Sequence, residues 1–91
     1  MPKYVVEREL PGAGLLTGRQ LQETAAKSRA VLREIGPDVQ WVESYVTENK
    51  IFCVYIAPNE EAVRKHAEKG GFPCNAVREI KCVIDPTTAE S

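Results

Sequence analysis

The sequence predicts an α+β fold in which four strands and two helices follow one another as βαββαβ. Three observations carry the prediction. Runs rich in β-branched and aromatic residues stand at both ends and in the middle of the chain. Two helical periodicities lie between them, and a short polar turn after Thr47 joins two strands directly.

The elements follow in order. Tyr4 to Leu10, "YVVEREL", has strand composition, and "PGAG" at 11–14 breaks it. Thr17 followed by Gln20 is a capping box, after which Leu21, Ala25, Ser28, Val31, Leu32 and Ile35 recur at helical spacing. "GPD" at 36–38 ends that helix. Gln40 to Thr47 alternates as a second strand, and Ile51 to Ala57 is a nearly continuous apolar run suited to a central strand. Asn59 caps a second helix that runs through Lys69 and stops at Gly70-Gly71. Val77 to Ile84 reads as the last strand, with 85–91 as a frayed tail.

Right-handed crossovers place these elements in the ferredoxin-like split βαβ arrangement. The expected sheet is antiparallel in the order 4-1-3-2, with both helices on one face, and residues 1–91 form a single domain.

Composition excludes several functional classes. Twelve basic and thirteen acidic residues leave a net charge of -1, with no basic block to track a phosphate backbone, so nucleic acid is not an expected partner. No apolar run approaches the length of a membrane span, and the N-terminus has no signal-like apolar region; a cytoplasmic location is the default expectation. Cys53, Cys74 and Cys82 are odd in number and widely spaced, which suits reduced thiols rather than a disulfide framework or a zinc site.

Alternation sorts the strand residues into two faces. A three-residue hairpin loop, Glu48-Asn49-Lys50, sets Tyr45 opposite Cys53 and yields one purely apolar face, which includes Val6, Phe52, Val54, Ile56 and Ile80, to lie under the helices. A two-residue Asn49-Lys50 loop exchanges the faces of one strand. With the longer loop, Glu7, Trp41, Glu43, Tyr45, Cys53, Tyr55 and Glu79 line the open face as candidate ligand-binding residues, since carboxylates and phenols can bind a ligand or exchange protons. A wet polar face and a dimer seam are the competing explanations. Val5, Trp41, Tyr45, Ile51, Tyr55 and Val83 make that face apolar enough to predict a homodimer.

"GAGLLTG" at 12–18 lies between a strand and a helix but lacks the spacing of a dinucleotide-binding turn. The lone His66 has no metal-ligating neighbour one turn away on its helix, which favours packing at the sheet edge over chelation.

Through "YVVERELPGA", "WVESYVTENKIFCVYIAPNEEAVRKHAEKGGFP" and the closing "IDP", the chain resembles a family of small bacterial domains of unknown function, one member of which is described as nickel-binding. The resemblance implies a ferredoxin-like domain that pairs its sheets into a dimeric α/β barrel, with Glu7, Trp41, Tyr45, Cys53, Tyr55 and His66 at matching positions and Cys74 as a departure. It implies nickel(II) for the domain as a whole and assigns no ligands; His66 is the candidate metal residue. The expected function is a small dimeric binding protein for nickel or another divalent transition metal. The alternative is a cofactor-free enzyme or small-molecule binder that uses the open face as its pocket.

Overall fold

The computed structural model describes residues 1–90. Its elements are β1 (Lys3–Glu9), α1 (Gly18–Ile35), β2 (Gln40–Val46), β3 (Lys50–Ile56), α2 (Glu60–Gly70) and β4 (Ala76–Ile80), with 3-10 turns at Ala13–Leu15 and Pro86–Glu90. The sheet is antiparallel throughout and runs β2-β3-β1-β4, which is the predicted 4-1-3-2 seen from the other edge. Among the described residues no helix is long and apolar enough to cross a membrane.

Both helices start on the caps their sequences announce. Thr17 Oγ1 accepts from the Gln20 N–H at 3.1 Å and Gln20 Oε1 accepts from the Thr17 N–H at 2.9 Å, satisfying two otherwise free donors of α1. Asn59 Oδ1 does the same for the Ala62 N–H of α2 at 2.9 Å. α2 ends at Gly71, which takes the left-handed conformation with φ 69. Gly70, one residue earlier, leaves room for the Phe72 ring: a Cβ there would lie 2.2 Å from it. Phe72 is thereby folded back beneath the helices.

The hairpin register differs from the expected one, and the difference moves whole rows of side chains. The Thr47 N–H donates to the Lys50 carbonyl at 2.8 Å, so the loop is Glu48-Asn49, and Tyr45 stands opposite Phe52 rather than Cys53. Two sets of bonds hold this turn. Thr47 Oγ1 accepts from the Lys50 N–H at 3.2 Å and donates to its carbonyl at 2.9 Å. The segment after β1 then grips the tip, with Leu10 N–H on the Asn49 carbonyl, Gly14 N–H on the Glu48 carbonyl and Gly12 N–H on Asn49 Oδ1, each at 3.0 Å. A bulge between Trp41 and Glu43 shifts the pairing again and returns Trp41 opposite Tyr55.

A one-residue slip exchanges faces. Ile51, Cys53 and Tyr55 therefore lie beneath the helices and are buried, while Phe52, Val54 and Ile56 occupy the open face and are half-buried. On β4, Ile80 pairs with Lys3 and faces outward, whereas Glu79 pairs with the buried Tyr4 and takes the helix-facing parity. β4 also stops at Ile80 instead of Ile84, because its partner β1 begins at Lys3 and offers nothing further to pair with. Cys82, Val83 and Ile84 are consequently exposed. Of the expected tail, Asp85 opens a 3-10 turn by accepting from the Thr87 N–H at 2.9 Å, and Ser91 lies outside the described residues.

Candidate functional site

The inward stripe of α1 is uneven in size. In its C-terminal half Val31, Leu32 and Ile35 are long enough to pack inward, and Leu32 and Ile35 meet the core of the sheet. From its second turn to its middle the same stripe carries Thr24, Ala25 and Ser28, which are too short to fill the gap. A cavity of about 330 Å³ remains there between α1 and strands β1, β2 and β3, bordered by Phe72 and Pro73. Its walls are mostly apolar, with Leu10, Leu21, Trp41, Val46, Ile51 and Phe72 among the side chains that line it.

Arg8 lies at this cavity and is only 5% exposed. It shares the parity of Tyr4 and Val6, so β1 aims it under the helices. Its Nε donates to Cys53 Sγ at 3.4 Å, Nη1 to the Pro73 carbonyl and Nη2 to Tyr55 Oη at 3.1 Å. The Phe72 ring centroid lies 5.5 Å from the guanidinium carbon, close enough for a cation–π contact. Burial opposes the charge on Arg8, but Tyr55 and Cys53 more than offset it and its pKa is raised. The guanidinium stays charged.

Beside it the polar groups continue toward α2. Burial, reinforced by Cys53 and opposed by Arg8, pushes the Tyr55 phenol upward, so it stays protonated near neutral pH. His66 is fully enclosed, with its ring 5.2 Å from that of Tyr55 and 5.4 Å from that of Phe72. Nε2 lies 3.3 Å from Ser28 Oγ, and Nδ1 has no hydrogen-bond partner among the described residues. Burial first, and the Arg8 charge second, lower its pKa to about 4. His66 is therefore neutral at pH 7.

The residues expected to share one open face are divided between two. Trp41, Tyr55, Tyr4 and Glu79 form a cross-strand row on the helix side, and Trp41, Cys53 and Tyr55 line the cavity. Glu79, at the edge of that row, is engaged by Lys81 at 3.3 Å. Glu7, Glu43 and Tyr45 remain on the open face, where Glu7 and Tyr45 flank Phe52. The Tyr45 hydroxyl donates to Glu43, which raises the Tyr45 pKa, and Lys50 Nζ lies 3.5 Å from Glu7.

Sequence reasoning missed Arg8 and Ser28 as site residues. The signal for Arg8 was present, since alternation from Val6 puts Arg8 on the same face. Ser28 was visible only as a polar member of an apolar stripe.

Nickel, as implied by the resemblance, calls for gathered nitrogen, sulfur or oxygen donors. Among the described residues no group of three or more His, Cys, Asp or Glu is placed to hold a metal ion. His66 is enclosed by Ser28, Tyr55 and Phe72 under the influence of the Arg8 cation, surroundings that disfavour a second cation. The residues of one chain do not fit a nickel centre at His66.

Fold and site together define a small ferredoxin-like domain with an apolar cavity between helix and sheet and a buried guanidinium beside it. The chain belongs to the nickel responsive protein SCO4226-like family, whose model matches residues 4–80. Its fold is similar to the crystal structure of SCO4226 from Streptomyces coelicolor A3(2), with a TM-score of 0.76 and 19% sequence identity over 90% of this chain and 99% of that one. No curated protein sequence matches it.

Proposed function

We propose that this chain is a small binding protein that holds a largely apolar organic molecule in the cavity between α1 and the sheet. The observation that carries this reading is the cavity itself: about 330 Å³, mostly apolar in its walls, with a few convergent polar groups at one end. Small-molecule sites span roughly 300–1,000 Å³ and share that composition. Trp41, Cys53 and Tyr55 act in it as lining residues, joined by Arg8 and Ser28. Binding is favoured over catalysis because His66 is lowered and Tyr55 raised, both away from the neutral range where general acid–base groups work best.

The test is uptake of a neutral fluorescent probe, N-phenyl-1-naphthylamine. Saturable binding with a change in Trp41 emission is the expected result, together with its loss in Ala25→Trp, which fills the cavity. A wild-type protein that takes up no probe refutes the reading.

The opposite face of the sheet supports a homodimer, since Phe52, Val54 and Ile56 stand there on the side away from the buried row and are only half-buried. The free thiols of Cys53, Cys74 and Cys82 suit a reducing cytoplasm. Nickel(II) enters through the family's description, with ligands other than His66. Whatever nickel binding tag-free protein shows by calorimetry is therefore expected unchanged in His66→Ala, and a loss there would restore His66 as a ligand.

A further inference from the structure

We infer that the cavity's ligand is an apolar carboxylate whose head group pairs with Arg8; the inference rests on the cavity being a small-molecule site. Arg8 is a buried cation with neutral partners only: a thiol, a backbone carbonyl and a phenol. The ion pairs among the described residues join Arg19 to Glu23, Lys50 to Glu7, Arg64 to Glu60, Lys69 to Glu34 and Lys81 to Glu79, and none of them includes Arg8. Its neutral partners accept hydrogen bonds from it without balancing its charge at neutral pH, and an anion entering beside it supplies the counter-charge. The cavity that Arg8 lines is the space open to such an anion.

Hydrogen-bond capacity is available for it. A guanidinium carries five N–H donors; three are given to Cys53, Pro73 and Tyr55, which leaves two, one on each Nη nitrogen. Carboxylates accept such charge-assisted bonds readily. The Arg8 hydrogen bonds to Cys53, Pro73 and Tyr55 also hold its planar group in place before any ligand arrives, which reduces the ordering that binding requires.

The remaining surroundings select the rest of the molecule. Among the described residues Arg8 is the one cation lining the cavity, Lys27 Nζ stands 5.4 Å from the Phe72 ring centroid without lining it, and His66 stays neutral, so a single negative charge is matched at the guanidinium. This disfavours phosphate esters relative to carboxylates. Beyond the guanidinium the walls pass to Leu10, Leu21, Val46, Ile51 and Trp41, which suit a hydrocarbon body. The volume is that of roughly ten liquid waters at about 30 Å³ each, which sets a medium-sized ligand.

The experiment is displacement of N-phenyl-1-naphthylamine by octanoate, by octanamide and by octyl phosphate at pH 7.5. Hydrophobic partition alone favours the neutral amide. A preference for octanoate therefore reports the charge. Octanoate is expected to displace the probe at about a tenth of the octanamide concentration or less, with octyl phosphate weaker than octanoate. In Arg8→Met octanoate should lose its advantage over octanamide, whatever the variant's affinity for the neutral probe. Should Arg8→Met fail to fold, the wild-type ranking of octanoate against octanamide decides alone. Probe uptake with no preference for octanoate overturns this inference and leaves the cavity reading standing; absence of any probe uptake overturns both.

Discussion

His66 shows how one buried group ties stability to pH. Its folded pKa is about 4, against an ordinary value of 6.5, because burial and the nearby Arg8 disfavour the imidazolium. Between those two values the unfolded chain binds more protons than the folded one, so stability is fully present above pH 6.5 and falls as the pH drops toward 4. The loss across that window is on the order of 3 kcal/mol. Urea unfolding at pH 7.5 and pH 4.5 measures it. His66→Gln is expected to flatten that slope, whatever it does to absolute stability, and an equal slope in the variant would mean that other groups carry the acid sensitivity.

At the scale of elements, α1 combines a strong start with a deliberately weak face. Thr17→Ala removes one partner of the capping box and should destabilise the protein by about 1 kcal/mol in chemical denaturation. Ala25→Leu acts in the opposite direction. The larger side chain enters the cavity and should stabilise the fold by about 1 kcal/mol, less than the ~0.8 kcal/mol per buried carbon implies, because the space is not shaped for leucine. The same variant should lose uptake of the naphthylamine probe. Gain in stability with loss of binding is the pattern expected where small residues are kept for a ligand; a stabilised variant that still takes up the probe would place binding elsewhere.

At the scale of the molecule, the proposed ligand and the proposed dimer would use opposite faces of the sheet. The helix face bears the cavity, and the open face bears half-buried Val5, Phe52, Val54 and Ile56 with Glu7, Glu43 and Tyr45 around them. Pairing of two copies through the open face buries this apolar patch. Sedimentation should then show a dimer at micromolar concentration. Phe52→Glu is expected to yield a folded monomer that still binds the probe, because the substitution lies across the sheet from the cavity. A wild-type monomer, or a variant that loses dimer and probe together, would break the assignment of one function to each face.

Local chemistry made the order of elements legible from sequence: the Thr17–Gln20 capping box, the Asn59 cap, the Gly70-Gly71 stop and the periodicity of α1 each depend on residues within a few positions of one another. The crossover rules then determined the strand order, and the resemblance along the chain pointed to the family. Tertiary structure alone decided which face each strand shows. The loop after Thr47 is held by donors from Leu10, Gly12 and Gly14, residues more than thirty positions away, and the bulge at Val42 depends on both strands at once. Because side chains alternate with a period of two, that single undetermined register moved Cys53 and Tyr55 from the open face to the cavity and Phe52 and Val54 the other way. The cavity was equally out of reach, since an empty volume arises from what Ala25 and Ser28 fail to fill when α1 and the sheet meet, and no short stretch of sequence records that distance.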